Sequence, residues 1–154
     1  METPKESLSE ALTLMRSFSL RTGLEGSEGD IRQRYLWTDA FAVQTFFVLA
    51  QSFKEESYKE KAIRLVHRVH KTLGRYHPDD NRSGWISGLS EEEGEDHPTA
   101  GGLRIGKKML ERKSDEQPDE RLEWERDGQY FHYITRWVNA LLLTGKETSE
   151  EKYI

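Results

Sequence analysis

Residues suited to acid–base chemistry and ligand contact are concentrated in the segment 124–137. This segment holds two tryptophans, two tyrosines, a phenylalanine, a glutamine and His132 among alternating charges. A helix that only fills a core uses Leu, Ile and Ala, whereas bulky side chains with polar ends suit the wall of a concave site. We therefore expect this segment to form one wall of a binding site. Its predicted ligand contacts are Trp124, Gln129, Tyr130 and Tyr133.

Two histidines are the candidate proton carriers. His132 lies in the second turn of the predicted aromatic helix, and His97 precedes Pro98 in the glycine-rich segment 95–106. Imidazole exchanges a proton near neutral pH, so either residue could serve as a general acid or base. Arg104, in the same glycine-rich segment, carries a rigid fork of donors that could hold a hydroxyl or an anionic group. The alternative for each of these residues is a purely structural hydrogen bond.

The carboxylates near these histidines are open to two interpretations. Asp127 immediately precedes the aromatic helix and is predicted to be its N-cap, a role that would be sufficient by itself. In the other interpretation, Asp127 acts with Glu123 or Asp39, because glycoside hydrolysis requires two carboxyl groups on either side of the bond. Both interpretations stay open at the level of the sequence.

The aromatic residues are also open to two interpretations. Aromatic planes can stack on the C–H faces of sugar rings, and the same residues can simply fill a core. Trp37 and Trp124 are the predicted stacking residues, and we expect at least half of the whole set to be core. The set is Trp37, Trp85, Trp124, Trp137, Tyr130 and Tyr133.

Apolar residues at helical spacing predict four helices that position these side chains. The predicted helices cover residues 7–20, 40–53, 57–73 and 129–144, so the expected fold class is all-α. Capping rules then place the helix ends. The predicted caps are Ser7 with Glu10, Thr38 and Asp127 at the starts, and Gly74 and Gly145 at the ends.

The remaining segments are less regular. No periodicity survives over residues 75–123, where Gly and Pro recur, and a loop of that length is usually functional. Residues 148–154 read as the start of another helix, which predicts that the chain is part of a longer protein. We expect a single helical domain over 1–154, built from antiparallel helical hairpins. Stacked hairpins need neighbours to bury both faces, so self-association through exposed apolar helix faces is also expected.

Composition excludes several classes of function. The net charge is −5 with acids and bases interspersed, which argues against a nucleic-acid-binding protein. Cysteine is absent, and the longest apolar run, 46–50, is too short for a bilayer. His67 and His70 share a helix without a third ligand, and no phosphate-loop pattern follows Gly101. The expectation is a cytoplasmic protein without a cofactor, metal or membrane contact.

Four segments of the chain resemble a known superfamily. They are RYLWTDAFA at 34–42, WISGLS at 85–90, HPTAGGLRIGK at 97–107 and DGQYFHY at 127–133. They are similar to proteins of the six-hairpin, (α/α)-toroid group, near the N-acylglucosamine 2-epimerase-like and glycosidase-like families. The resemblance implies a barrel of inner and outer helices with a sugar bound where the loops meet. It also implies that this chain is the N-terminal part of such a barrel.

The resemblance leads to three functional hypotheses. The first is a sugar epimerase or isomerase that works by histidine acid–base chemistry. The second is a glycoside hydrolase that uses Asp and Glu, and the third is a non-catalytic scaffold that binds a glycan or a partner helix. The predicted catalytic residues are His132, His97 and Asp127. The predicted substrate-binding residues are Trp37, Asp39, Arg104, Trp124, Gln129, Tyr130 and Tyr133.

Overall fold

The computed structural model describes residues 4–26 and 33–153. Helices account for the regular structure of those ranges, in which only two isolated β-bridges occur, so the predicted all-α class is confirmed there. The α-helices are α1 Pro4–Arg21, α2 Leu36–Phe53, α3 Glu56–Leu73, α4 Glu91–Asp96, α5 Glu120–Glu123 and α6 Phe131–Thr148. A 3-10 helix follows at Glu151–Tyr153.

The central element is α2, because its apolar residues lie on nearly all sides. One side packs against α3 and another against α6. The turn from α2 to α3 is tight: Lys54 adopts a left-handed conformation with φ 53°, and the Glu55 amide donates to the Ala50 carbonyl at 3.2 Å. This turn makes α2 and α3 an antiparallel hairpin, as predicted.

Helices α2 and α6 run parallel to each other. Tyr35, at the start of α2, bonds Tyr133 at the start of α6, and Gln51 near the end of α2 donates to Glu147 near the end of α6. The late α3 residue His70 meets the early α6 residue Trp137, so α3 is antiparallel to both. The antiparallel pairing expected from the sequence therefore does not extend to the α2–α6 pair.

Helices α2, α3 and α6 enclose one apolar core, and α1 packs against α2. Burial of each large apolar side chain contributes about 1.5–3 kcal/mol to folding. In the described parts of the chain, no helix is both long enough and apolar enough to cross a membrane. The largest fully buried side chains include Trp137, Phe46, Phe47, Leu65 and Leu73.

Helix ends depart from the predicted caps at several places. The first helix begins at Pro4, so Ser7 and Glu10 are inside it and the predicted capping box is wrong. Thr38 is likewise inside α2, whose N-cap is Tyr35. In α6 the N-cap is Tyr130 rather than Asp127, and the helix continues through a buried Gly145. Left-handed Ser149, with φ 58°, ends α6 instead.

The third helix is close to the prediction, including its end at Gly74. The Gly74 backbone is right-handed, with φ −76°, so glycine is required there for close packing and not for a left-handed turn. A Cβ there would lie 2.5 Å from the Pro98 carbonyl oxygen and 2.7 Å from that of His70. Any side chain would therefore displace the backbone that crosses the end of α3.

The segment 75–123 is more ordered than the predicted irregular loop. It contains α4, which starts with a complete capping box between Ser90 and Glu93, and the single turn α5, capped by Asp119. At the other end of the chain, the predicted further helix is one 3-10 turn at 151–153, whose Tyr153 is buried. Ile154 lies outside the described residues.

Candidate functional site

An aromatic cluster forms where α2 and α6 begin side by side. Its rings meet edge to face or tilted: Trp37 lies 5.3 Å from Tyr133 and 6.2 Å from His132, and His132 lies 4.7 Å from Tyr133, between ring centroids. Such geometry is the favoured arrangement for aromatic pairs. The cluster consists of Tyr35, Trp37, Phe41, Tyr130, His132 and Tyr133.

The two helix starts explain why these residues meet. Tyr35 and Tyr130 are the N-caps of parallel helices, and both have extended backbones without a side-chain capping bond. The tyrosine rings are therefore available to pack across the gap between the helices. Because the helices are parallel, the first-turn residues Trp37, His132 and Tyr133 lie at the same end of the bundle.

A pair of tyrosine hydroxyls links the helices within the cluster. The Tyr35 and Tyr133 hydroxyl oxygens are 2.6 Å apart, so one donates to the other. Desolvation, followed by this hydrogen bond, raises the pKa of Tyr133 to about 12. The ammonium group of Lys107 lies over the Tyr35 ring, 4.9 Å from its centroid. Tyr133 is therefore a neutral hydroxyl throughout the physiological pH range.

The cluster is partly open to solvent and carries cations. The Arg136 guanidinium lies 5.6 Å from the Trp37 centroid and 5.3 Å from that of Phe41. Phe41 and Tyr130 are about half exposed, and the adjoining Phe131 is 84% exposed. The surface thus combines accessible ring faces with polar edges, which is the composition that a ring-shaped polar ligand requires.

Arg104 and Asp127 form an ion pair that we call the Arg104–Asp127 clasp, in which Asp127 is buried and Arg104 is largely buried. Arg104 also donates to the carbonyls of Arg75, at 2.6 Å, and Thr72, at 2.9 Å. These contacts join the end of α3 to the extended segment that contains Arg104. Arg104 therefore has three hydrogen-bond partners within the protein, and its predicted contact with a ligand stays a prediction.

Asp127 uses its second oxygen on the backbone. Oδ1 accepts from the amides of Gly106 at 2.8 Å, Lys107 at 3.2 Å and Gly128 at 3.0 Å. The carboxylate thus binds the amides of Gly106 and Lys107, which lie 21 and 20 residues upstream, and that of the following Gly128, instead of capping α6. The prediction of an N-cap is wrong because a long-range partner, Arg104, draws Asp127 away from the helix it precedes.

Asp39 is similarly engaged. Arg34 donates to both of its oxygens, at 2.9 and 2.8 Å, and both side chains are buried. Burial raises the pKa of the Asp39 carboxyl, and the contacts with Arg34 act against that rise. Neither Asp39 nor Asp127 therefore presents a carboxylate oxygen to the aromatic cluster.

The other predicted site residues divide between the cluster and the rest of the surface. Gln129 donates to the Gly101 carbonyl at 2.8 Å, which ties the glycine-rich segment to the edge of the cluster. Trp124 is the C-cap of α5 and 78% exposed, and no ring contact in the described residues joins it to the cluster. His97 lies elsewhere, on the wall of a separate cavity beside α3.

Sequence reasoning missed two members of the cluster. Tyr35 and Phe41 lie two residues before and four residues after Trp37, and helical spacing from Trp37 would have found Phe41. Tyr35 precedes α2, so only its pairing with Tyr133 reveals it. Trp85 and Trp137 are 3% and 2% exposed, so the core interpretation is correct for these two tryptophans.

None of the protein-family models, curated proteins or solved structures compared with this chain matches it. In the described ranges, no group of three His, Asp or Glu side chains is arranged to hold a metal ion.

Proposed function

We propose that this protein binds a sugar on the aromatic cluster and acts on it by histidine acid–base chemistry, as a carbohydrate-active protein of the (α/α)-toroid type. The observation that carries the proposal is the meeting of residues distant in sequence on one half-exposed aromatic surface. Four of the predicted site residues share that surface: Trp37, Tyr130, His132 and Tyr133.

Ring stacking supports a sugar as the ligand. A pyranose presents C–H groups on its faces and hydroxyls on its edges, so it gains apolar contact with aromatic planes while its edges need hydrogen bonds. Half-exposed Tyr130 offers a ring face, and Gln129 and Arg136 stand at the edge of the cluster with polar groups. Arg136 also gives the surface a preference for electron-rich or anionic substituents.

Acid–base chemistry at this surface would use His132. Its imidazole touches the Tyr133 ring and is exposed to solvent, so a ligand stacked on the cluster could lie against it. In epimerisation, a base removes the proton on the carbon beside a carbonyl and an acid returns a proton to the other face. His132 would be the base, and the neutral Tyr133 hydroxyl is a nearby proton donor.

The helix directions support the toroid architecture. When helices alternate between an inner and an outer layer, two successive inner helices are parallel and the outer helix between them is antiparallel to both. The relation of α2 and α6 to α3 has this form. Further helices or a second copy of the chain would cover the exposed apolar side chains on α2 and α6. These are Phe41, Val48, Phe53, Phe131, Val138 and Leu142.

The alternative functions differ in how the site supports them. A hydrolase has less support, because each of its predicted carboxylates, Asp127, Asp39 and Glu123, forms an ion pair with an arginine. A non-catalytic glycan-binding surface keeps the support of the aromatic cluster, because stacking needs no proton transfer. It is the second candidate, and the experiment below separates it from the epimerase.

The test is exchange of a carbon-bound sugar proton with solvent deuterium, followed by NMR over a panel of reducing sugars. The wild-type protein should show exchange with at least one sugar. His132→Gln should slow it by about 100-fold or more, since general acid–base catalysis contributes that much. His97→Gln is the matched control, because it changes another exposed histidine outside the cluster, and it should leave the rate unchanged.

Two other results would decide against parts of the proposal. Binding of a glycan without exchange, weakened by Trp37→Ala, would favour the non-catalytic surface over the epimerase. The absence of both exchange and binding across the panel would overturn the sugar proposal. Release of an aryl group from chromogenic glycosides would instead favour hydrolysis and contradict the role of His132.

A further inference from the structure

Arg136 lies on α6 one turn after His132, and both side chains border Trp37. The Arg136 guanidinium lies 5.6 Å from the Trp37 ring centroid, and the His132 ring lies 6.2 Å from it. The guanidinium also lies 5.3 Å from the Phe41 centroid. Residues four apart on a helix share one face, so Arg136 and His132 are on the same side of the cluster.

The Arg136 guanidinium has aromatic neighbours but no hydrogen bond or ion pair within the described ranges. By contrast, the guanidinium groups of Arg34 and Arg104 are engaged by carboxylates. A guanidinium carries five N–H donors in its own plane, so contact with ring faces leaves these donors available at its edge. Such an edge binds a carboxylate or a phosphate through two parallel hydrogen bonds.

Lys107 is a second cation on the cluster. Its ammonium group lies 4.9 Å from the Tyr35 centroid, and it also forms no ion pair among the described residues. Its field reaches the Tyr133 hydroxyl: desolvation and the contacts with Tyr35 raise the pKa of that group, and Lys107 acts against the rise. Cations therefore border both the Trp37 part and the Tyr35 part of the cluster.

The acidic groups of the segments that build the cluster are already neutralised. Residues 34–41 and 127–136 contain two carboxylates, those of Asp39 and Asp127. Both are buried in ion pairs with arginines, so neither offsets the charge of Arg136. The charge that the cluster presents to a ligand is therefore positive on its Trp37 side.

One exposed carboxylate reaches another edge of the cluster. Glu111 lies beside Gly128, where the Tyr130 ring also packs, and its field acts on Arg82. Glu111 forms no ion pair with Arg136. The Tyr130 edge is therefore less favourable to an anion than the Trp37 side.

The starts of α2 and α6 add to the positive potential. Both helices have 18 residues and run parallel, so the positive ends of their dipoles lie together at the cluster. Neither N-cap, Tyr35 or Tyr130, supplies a side-chain acceptor to its first turn. The whole chain has a net charge of −5, so the attraction of this end for an anion comes from its local charges.

We propose that the ligand of the aromatic cluster is an anionic sugar, whose carboxylate or phosphate group binds the Arg136 guanidinium while its ring lies against the exposed aromatic faces. Lys107 and the two helix starts add a longer-range attraction. Because Arg136 follows His132 by one turn, a sugar held by its acidic group has its ring beside the imidazole. This inference rests on the proposed function, since it names the substrate class of the same site.

The test compares glucose, galactose and mannose, each with its uronate and its 6-phosphate. Binding is followed by the Trp37 indole signal in nitrogen–proton NMR spectra, assigned with Trp37→Phe. At least one uronate or 6-phosphate should bind about tenfold or more tightly than its neutral parent, because hydrogen bonds between charged groups are the stronger kind. Tighter binding of the uronates identifies a carboxylate ligand, and tighter binding of the 6-phosphates identifies a phosphate ligand. Acetate and inorganic phosphate, which lack the ring, should bind about tenfold or more weakly than the matching sugar.

Two variants and a matched control locate the charge. Arg136→Gln should remove the preference, so that the anionic sugar binds within about twofold of its parent. Arg136→Lys keeps the charge but lacks the planar fork, so it should keep only part of the preference. Lys146→Gln removes a charge from an exposed position of the same helix outside the cluster and should leave the preference unchanged. Circular dichroism of each variant should match the wild type.

The contrary results separate this inference from the proposed function. If neutral and anionic sugars bind equally, or if Lys146→Gln costs as much as Arg136→Gln, the anionic class is wrong and the sugar-binding surface remains. If acetate or inorganic phosphate binds as tightly as the anionic sugar, the ring contributes nothing and both proposals are overturned. The absence of binding for every sugar up to about 50 mM would also overturn both.

Discussion

Replacing Asp127 with Asn tests whether the Arg104–Asp127 clasp holds the site together. The substitution keeps the size of the side chain but removes its charge. It also places an amide NH₂ group where an acceptor is needed, because Asp127 receives one guanidinium and three backbone N–H groups. Arg104, with 11% of its side chain exposed, is then left as a buried charge without its counter-ion.

The magnitude follows from burial. Breaking a buried ion pair by removing one partner costs about 3–5 kcal/mol, because the remaining charge stays desolvated. The Asp127 side chain is 2% exposed, so solvent does little to reduce this figure. With a urea m value of about 2 kcal/mol/M, the unfolding midpoint should fall by about 1.5–2.5 M. That loss is a large part of the roughly 5–15 kcal/mol that stabilises a typical domain.

Urea unfolding followed by circular dichroism measures the effect, and Asp115→Asn is the control. Asp115 is exposed, so the same chemical change there should alter stability by less than about 0.5 kcal/mol. A double-mutant cycle with Arg104→Gln should give a coupling energy of about 2 kcal/mol or more. A loss below about 1 kcal/mol for Asp127→Asn, or no coupling to Arg104, would refute the clasp as an anchor.

Three further predictions follow from buried or packed groups. The pKa of His70 is about 4 in the folded protein and near 6.5 in the unfolded chain. The stability that is present above pH 6.5 should therefore decline by up to about 3 kcal/mol as the pH falls to 4. His70→Gln should lack this decline. Gly94→Ala should destabilise by about 1–3 kcal/mol, because a Cβ would overlap the Trp85 ring. Tyr35→Phe should lower the pKa of Tyr133 in an ultraviolet titration, since it removes a hydroxyl that raises it.

Each of these predictions has a result that contradicts it. An equal loss between pH 6.5 and 4 in His70→Gln and the wild type would assign the loss to groups other than His70. Asp80 is not one of them, because its lowered pKa acts only below about pH 4. Glu92→Ala, on the same short helix as Gly94, should be nearly neutral, and similar losses in both variants would deny the ring contact. If the pKa of Tyr133 is unchanged in Tyr35→Phe, burial alone raises it.

The sequence predicted elements well where one face of a helix decides the structure. The helix 57–73 carries a continuous apolar stripe with charges opposite, and α3 spans Glu56–Leu73. The aromatic residues of the candidate site were also recognised, because a helix this rich in Trp, Tyr and His departs from core composition. Their meeting with Trp37 could not be derived, since it depends on the parallel packing of α2 and α6.

The error at Asp127 has a physical cause. Capping rules consider only residues within a turn of the helix start, and Asp127 fits them locally. In the structure its carboxylate pairs with Arg104, and a buried ion pair outweighs a cap worth about 1 kcal/mol. The partner of Asp127 is 23 residues away in sequence, so no local rule could have identified it.

The pinning of the segment 104–128 at both ends has a consequence for how this protein tolerates change. The Ile105 amide donates to the Gly128 carbonyl, and the Asp127 amide donates to the Met109 carbonyl. Residues 110–124 therefore form a loop whose two ends are adjacent. Each doubling of the length of such a loop adds only about 0.6 kcal/mol of closure entropy. Its tip is therefore the natural place to insert a fluorophore tag, an epitope or a whole domain without disturbing the helices.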